Sequence, residues 1–258
     1  MKKLVVILFS LLLVTSAFAD FTWAQMNLYQ GVEIANGFGD TYNDMYLEIE
    51  GGGRTGIMNL YYFFDVNTFM GLGDDPQGKQ GSFFTKINPR FSLKGFVPEM
   101  GPVKELYVAT QYKGYNGGAN YYAGLGSDLA IPFFERFSAN FYMMMEHVND
   151  PDDADKTMFE NAGFVFAINW YTTLYKFDDM MNVSYQGWSD YGFANAYTED
   201  MGDPRTADEF QMFNGFFFNY NKWSVSASLK LHNHFMYTDA SFGNHDAMSY
   251  FFGLHRRF

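Results

Sequence analysis

Cysteine is absent from this chain of 258 residues, and so is any apolar run long enough to cross a membrane as a helix. Without cysteine there is no disulfide framework and no thiol chemistry. A membrane-spanning helix needs about 18 or more apolar residues, and the longest apolar stretch, Leu4 to Val14, is shorter than that. These absences argue against a disulfide-stapled secreted domain and against a helical membrane protein.

Positive charge is also scarce, because the chain has 17 Lys and Arg but 29 Asp and Glu, which gives a formal net charge of −12. Residues 1–19 have the pattern of a secretory signal peptide rather than an N-terminal anchor: Lys2 and Lys3, the apolar stretch, and Ala17-Phe18-Ala19 as a cleavage site. Removing the two lysines changes the charge from −12 to −14. We therefore expect an exported mature chain, residues 20–258, that does not bind nucleic acid polymers.

Aromatic residues are abundant, at 21% of the chain, with 30 Phe and 19 Tyr. Despite this, the mean hydropathy is only −0.21, so polar residues must be finely interleaved with apolar ones. A soluble domain of this length rarely needs so many aromatic side chains. The combination is typical of a sheet with lipid outside, water inside and aromatic girdles at both interfaces.

The interleaving has a period of two. In "NDMYLEIE", residues 43–50, Asp44, Tyr46, Glu48 and Glu50 alternate with apolar residues, which places acids on one face of a strand and oily side chains on the other. Similar alternation recurs in segments 24–34, 43–50, 57–70, 83–94, 103–113, 120–131, 134–148, 161–171, 180–190, 210–220, 223–236 and 247–258. Only for 210–220, which is nearly all aromatic, does the pattern leave open which side chains face inward. The pattern predicts an all-β chain, a single transmembrane antiparallel β-barrel of about twelve strands.

The connections between these segments alternate in length. Short turns are expected at 51–56, 131–133, 172–178 and 221–222, and longer, mostly acidic loops at 71–82, 149–156, 190–208 and 238–246. Residues 94–102 are a longer connection at the short-turn end. Short turns at one end and long loops at the other match periplasmic turns and extracellular loops. A soluble β-sandwich or lipocalin-like barrel also alternates, but it accounts for neither the loop asymmetry nor the aromatic excess.

Four ordered blocks carry a resemblance to a known family. They are Phe38-Gly39 followed by residues 43–50, "INPRFSL" at 87–93, "GPVKELY" at 101–107 and "YAGLGSD" at 122–128. In this order and spacing they resemble the Tsx-like nucleoside-specific channels of Gram-negative outer membranes, which carry F-G with N-D-T-Y-L-E-Y-E, then E-P-R-F-S, G-P-x-K-E-W-Y and Y-x-G-L-G-T-D. Met45, Ile49 and Asn88 depart from that pattern.

The resemblance implies a twelve-stranded barrel in the outer membrane. It also implies a narrow pore that binds nucleosides weakly at aromatic and ionisable side chains, and some members of the family serve as phage receptors. Phe38, at the family's F-G position, becomes the leading candidate for stacking on a base. If so, Phe38→Ala should abolish nucleoside-selective uptake in liposome swelling while general permeability remains.

Alternation and resemblance together give a candidate substrate track along the lumen. A base requires a flat π surface, and ribose hydroxyls require carboxylates, amides or cations as hydrogen-bond partners. The predicted track comprises Phe38, Asp44, Tyr46, Glu48, Glu50, Tyr61, Asp65, Arg90, Glu105, Tyr107, Tyr122, Asp128 and Lys230. For any one of these residues the alternative is a structural role, in which opposite charges brace the barrel interior.

Other functions have weaker signals. His232 and His234 lie on one face of a predicted strand and could bind a metal. The acidic run 150–155 lacks the Gly and the Glu of a calcium-binding loop. Ser241, His245 and Asp246 share one loop, but nothing else in the sequence supports a hydrolase. We predict no catalytic residue, no metal and no cofactor. A surface receptor or adhesin without transport is the main alternative function. The partners expected besides nucleosides are outer-membrane lipid and lipopolysaccharide, the barrel-assembly machinery through the terminal Phe258, and phage at the extracellular loops.

Overall fold

A computed structural model describes residues 20–36, 40–74, 82–115, 118–150, 153–195, 206–237 and 246–258. The predicted signal peptide lies outside these residues. Within them, no helix has the length and apolar character needed to cross a membrane. The strands are β1 (Phe21–Ile34), β2 (Tyr42–Thr55), β3 (Met58–Val66), β4 (Phe83–Ser92), β5 (Val103–Tyr115), β6 (Gly118–Leu129), β7 (Arg136–Asp150), β8 (Asp153–Lys176), β9 (Met181–Phe193), β10 (Glu209–Tyr220), β11 (Trp223–Asn233) and β12 (Ala247–Arg257).

These strands form one closed antiparallel barrel in which each strand pairs with its neighbours in the sequence. The barrel closes where β1 meets β12, with a register running from Gln25 opposite Arg257 to Val32 opposite Tyr250. Closure leaves no unpaired strand edge, so the backbone hydrogen bonds of the strands are made within the wall, as a hydrocarbon environment requires. The predicted fold and the even strand number are confirmed.

The faces of the barrel are inverted relative to a soluble sheet. Large apolar side chains point outward and remain exposed, for example Leu125 at 64% and Phe252 at 58%. Inside, Tyr107 and Tyr142 are fully buried, as is the polar Asn27. In the "NDMYLEIE" segment, Glu48 lies between Asn27 and Asp65 on the inner face. The residues between the acids therefore face lipid, as the alternation predicts.

β2 is longer than predicted. The segment 51–56 was expected to be a turn, but β2 runs through the three glycines to Thr55, and Gly56, with φ of 53°, occupies the turn. Gly52 faces the lumen between Trp23 and Tyr61, whose rings stack at 6.2 Å. A Cβ on Gly52 would come within 2.7 Å of the Leu60 carbonyl oxygen. Glycine is thus required by close packing here, and not by a turn.

Three further expectations are settled by the register. The acidic run predicted as the loop 149–156 is largely strand, because β7 continues to Asp150 and β8 begins at Asp153. His234 does not share a strand face with His232, since β11 ends at Asn233 and His234 has φ of 51°. The ambiguous segment 210–220 places Phe213 and Phe217 inward, opposite Trp188 and Ser184 of β9.

The five connections at the periplasmic end are fully described. The two-residue turn Asn221-Lys222 has Asn221 at φ of 53°, the conformation that its side chain tolerates. At the β6–β7 turn, the Glu135 carboxylate accepts a 2.9 Å bond from the Thr173 N–H, and hydrogen bonds from Thr173 lower the pKa of Glu135. The longer connection 94–102 is closed by a Lys94–Glu99 pair at 3.2 Å. Every connection at the opposite end includes residues outside the described part of the chain.

Candidate functional site in the lumen

The first three strands present a wall of carboxylates to the lumen. The buried amide of Asn27 donates to Glu48 Oε1 at 2.5 Å and to Glu50 Oε1 at 2.8 Å. Gln25 and Tyr61 also donate to Glu50, at 3.1 and 3.0 Å. Period-two alternation places all of these groups on one face, and the β1–β2–β3 register then brings them side by side. Their donors are amides and a phenol, which orient the carboxylates by hydrogen bonds.

Asp65 completes this wall, which we call the acidic wall (Glu48, Glu50 and Asp65). Asp65 lies directly opposite Glu48 in the β2–β3 register. Among the described residues, no ion pair includes any of the three, and Asp65 Oδ1 has no hydrogen-bond partner. The acidic wall therefore retains acceptor capacity for a hydrogen-bonding solute.

Aromatic rings flank the acidic wall on both sides. Tyr29 and Tyr46 stack at 5.1 Å with an interplanar angle of 23°. The Trp23–Tyr61 stack joins β1 to β3 nearer the periplasmic end, and the Phe63 ring centroid lies 6.1 Å from that of Tyr61 and 5.6 Å from that of Phe84. Stacked or offset aromatic pairs of this kind form flat apolar surfaces. Flat apolar surfaces therefore lie next to oriented carboxylates in this part of the lumen.

A hydrogen-bond network that sequence reasoning missed links the acidic wall to the barrel seam, where β1 pairs with β12. His255 of β12 donates through Nδ1 to Asn27 Oδ1, and the Ser226 hydroxyl of β11 donates to His255 Nε2, both at 2.8 Å. The Ser–His–Asn order is that of a hydrolase. However, Ser226 and His255 are only 8% and 1% exposed, and the neighbouring backbone lies in paired strands that offer no oxyanion hole. The network joins the last two strands to the first.

A group of lysines lies on strands that flank the acidic wall. Lys113 Nζ of β5 pairs with Asp190 Oδ2 of β9 at 3.1 Å, and Lys113 also lies over the Tyr122 ring at 5.2 Å. Because β5 and β9 are separated by three strands, this ion pair spans part of the interior. Lys230 of β11 lies 5.2 Å from the Trp188 ring centroid and interacts electrostatically with Asp190, Lys113 and Asp65. Besides the acidic wall, the interior thus has a basic side, which we define as Lys113 and Lys230.

A second set of charges forms a belt at the periplasmic end. Arg54 makes a two-pronged contact with Glu105 at 2.9 and 2.7 Å, and Glu105 also accepts a hydrogen bond from Ser92. Beside it, Arg90 pairs with Asp128 at 2.9 Å and lies over the Tyr107 ring at 4.2 Å. Tyr107 in turn donates to Asp128 at 2.7 Å. These groups satisfy one another, which is the arrangement expected of charges that brace a barrel interior.

The structure therefore divides eleven of the thirteen residues of the predicted track into three groups and leaves Asp44 and Phe38 out. The acidic wall with Tyr46 and Tyr61 is one group, Tyr122 and Lys230 lie at the basic side, and Arg90, Glu105, Tyr107 and Asp128 form the periplasmic belt. Asp44 faces inward but is only 2% exposed, and its carboxylate accepts the Thr68 N–H at 3.0 Å. Phe38, the leading stacking candidate, lies outside the described residues.

Several contributing residues were missed although alternation contained the signal. Asp190 is two positions after the inward Trp188, and Lys113 is two positions after Gln111, so both continue an inward face. Arg54 was missed because the glycines before it were interpreted as a turn. His255 offered no signal, because a single histidine in an alternating strand does not reveal which strand will lie beside it.

Comparison with known proteins places this geometry in a family. The family described as "Nucleoside-specific channel-forming protein, Tsx" matches residues 18–254. Outer membrane protein OmpK of Vibrio parahaemolyticus is 32% identical over 219 residues, which are 82% of this chain and 77% of that protein. OmpK of its serotype O3:K6 strain is also 32% identical, over 223 residues with the same coverage.

Among solved structures, the NanC porin superposes with a TM-score of 0.54 at 9% sequence identity, covering 90% of this chain and 98% of that one. At that identity the likeness concerns the barrel fold alone. The family match and the OmpK relatives agree with the closed barrel and with its lipid-facing exterior, and they place the chain in the outer membrane. The chain belongs to the Tsx family of nucleoside-specific channel-forming proteins.

Proposed function

We propose that this barrel conducts nucleosides, or similar small aromatic polar solutes, by passive and selective diffusion. The observation that carries the proposal is the acidic wall: three carboxylates that form no ion pair within the described residues, flanked by the Tyr29–Tyr46 and Trp23–Tyr61 stacks. Membership in a channel family supports conduction. The charge and ring arrangement supports the choice of solute.

The chemistry of the wall suits a nucleoside in two ways. A base stacks on an aromatic face with about 1–3 kcal/mol, while ribose hydroxyls donate to carboxylates that are already held in place by Asn27. Charge-assisted hydrogen bonds of this kind are roughly twice as strong as neutral ones. Binding must nevertheless remain weak and distributed over several positions, because a solute that binds tightly does not leave.

Conductance across planar bilayers tests the proposal. We expect purified protein to form ion-conducting channels. Their current should fall when a nucleoside is added and should not change when a sugar of similar size without an aromatic ring is added. Conductance that is blocked equally by both solutes would mean a pore for another substrate. The absence of conductance would favour the receptor or adhesin alternative.

The remaining expectations accompany this proposal. No catalytic step, metal or cofactor is part of it. The terminal Phe258 is 69% exposed and its N–H bonds to the Ala24 carbonyl at 3.0 Å, so its ring is accessible to the barrel-assembly machinery. Much of the loop surface on which a phage could dock lies outside the described residues, as do Ser241 and His245 of the hydrolase alternative.

A further inference from the structure

The chain that leaves β11 does not continue along the barrel wall. β11 ends at Asn233, and the following residues form a short 3-10 turn, Phe235–Tyr237. His234, Met236 and Tyr237 all have left-handed backbone conformations, with φ of 51°, 59° and 58°. For residues other than glycine this conformation costs free energy and persists only where the surroundings enforce it. We call residues 233–237 the mouth strap.

Tyr237 anchors the mouth strap on a distant part of the wall. The residue is 7% exposed and belongs to one buried cluster with Tyr122 of β6, Met144 of β7 and Val165 of β8. Between β8 and β11 lie two further strands, β9 and β10. To reach this cluster, the mouth strap must cross part of the extracellular mouth of the barrel.

The seat for the Tyr237 ring is shaped by a glycine. A Cβ on Gly192 of β9 would overlap the Tyr237 hydroxyl. Within the described part of the chain this buried hydroxyl has no hydrogen-bond partner. Tyr237 is therefore held by ring packing against apolar neighbours, and its hydroxyl contributes nothing to that hold.

Polar contacts fix the mouth strap to the β9–β10 side. The Thr206 N–H donates to the Tyr237 carbonyl at 2.6 Å, and the Met236 N–H donates to Glu209 Oε2 at 3.1 Å. His234 Nδ1 lies 3.2 Å from Asp208 Oδ1. These contacts hold the left-handed backbone of the mouth strap in place.

Phe235 projects from the mouth strap toward the basic side of the lumen. Its ring lies 4.4 Å from the His232 ring, and Lys230 Nζ lies 5.9 Å from its centroid. The mouth strap consequently places one aromatic ring beside the lumen charges and another on the opposite wall. A solute that enters from outside must pass between this strap and the remaining strands.

We propose that the mouth strap is the size-selecting constriction of the channel and that Tyr237 is the residue that holds it in place. This inference rests on the proposed channel function. It assigns the size limit to a turn of the last extracellular connection, separately from the acidic wall that recognises the solute.

Removal of the anchoring ring provides the first test. Tyr237→Ala should raise single-channel conductance about twofold or more and should admit larger neutral polyethylene glycols than the wild type admits. Gly192→Ala should have the same effect, because the added methyl group occupies the seat of the ring. Tyr237→Phe is the matched control: it keeps the ring, removes only the unpartnered hydroxyl, and should retain the wild-type size limit.

The absence of cysteine allows a second test without background. Met236 is 37% exposed in the mouth strap, and Met70 is 78% exposed in another 3-10 turn, Phe69–Gly71, where it also has a left-handed backbone. A bulky thiol reagent should reduce the conductance of Met236→Cys and leave that of Met70→Cys unchanged. Heat-modifiable migration in gels verifies that each variant forms a folded barrel.

The outcomes separate the two proposals. An unchanged size limit in Tyr237→Ala and Gly192→Ala, together with no response of Met236→Cys to the reagent, would overturn the role of the mouth strap while the channel function stands. If neither the wild type nor any folded variant conducts, the channel function fails and the inference fails with it. Conduction by Tyr237→Ala alone would support the mouth strap as a complete closure.

Discussion

At the scale of single residues, Asn27 organises more of the lumen than any residue in the predicted track. Its side chain is fully buried, its amide group donates to Glu48 and Glu50, and its carbonyl oxygen accepts from His255. An amide has two donor hydrogens and one acceptor oxygen, so one Asn can orient two carboxylates and still bond to the seam. The carboxylates are thus held in position without a solute, an order that would lower the entropic cost of the binding proposed above.

Neutralising the wall tests its role directly. In the double variant Glu48→Gln/Glu50→Gln, the side chains keep their shape but lose the charge that strengthens bonds to ribose hydroxyls. We expect the nucleoside concentration for half-block of conductance to rise about tenfold, which corresponds to about 1.4 kcal/mol. Glu99→Gln is the control, because Glu99 lies on an exposed periplasmic turn. An equal shift in both variants would point to a general charge effect.

At the scale of strands, alternation decides which side chains meet and register decides which partners they find. Alternation alone assigned the inward faces of β2, β4 and β9 correctly. It could not show that Glu48 lies opposite Asp65, or that Arg54 reaches Glu105 on a strand three positions away. Both contacts depend on strand pairing and barrel curvature, and neither is encoded in one segment.

The outward face of β2 offers a test of the inverted barrel. Leu47 lies between Leu28 and Val66 on that face, and a lysine near the bilayer midplane costs about 2–4 kcal/mol. Leu47→Lys should reduce the free energy of unfolding by about this amount in urea titrations with lipid vesicles. Ile57→Lys, at an exposed periplasmic turn, should have little effect. Equal stability of both variants would contradict the lipid-facing assignment.

At the scale of the whole molecule, closure of the barrel creates an interior in which charges of both signs lie on nearby strands. The acidic wall comes from β2 and β3, whereas Lys86, Lys113 and Lys230 come from β4, β5 and β11. Asp190 offsets part of the basic side through its 3.1 Å contact with Lys113. Because the charges share a narrow space, their balance should set the ion preference of the pore.

Removing one lysine should shift that balance measurably. Lys113→Gln deletes a cation and leaves Asp190 without its ion-pair partner, so we expect the ratio of cation to anion permeability to rise. Reversal potentials across a salt gradient measure the ratio, and Asp190→Asn should move it in the opposite direction. Shifts of the same sign in the two variants would show that the pair does not face the conducting path.

Local properties of the chain were predictable from the sequence, and contacts between distant segments were not. Strand number, inward faces and the periplasmic end followed from alternation and turn lengths, because both are local properties. The extent of β2 through its glycines did not, since glycine marks turns as well as close packing, and only the Trp23–Tyr61 stack over Gly52 distinguishes the two. Asp44 illustrates the same limit: its inward facing was predicted, but not its contact with the Thr68 backbone.

Alternation and aromatic content were sufficient to identify a lipid-facing barrel with a polar, aromatic interior, because neither depends on a distant contact. Which interior charges neutralise each other and which stay available depends on strand pairing and on closure of the barrel. Arg54 and Glu105 are paired, while the acidic wall is not, and no local pattern separates these cases. The placement of Tyr237 on the wall opposite its own strand was likewise decided by closure of the barrel, which brings β8 within reach of the chain after β11.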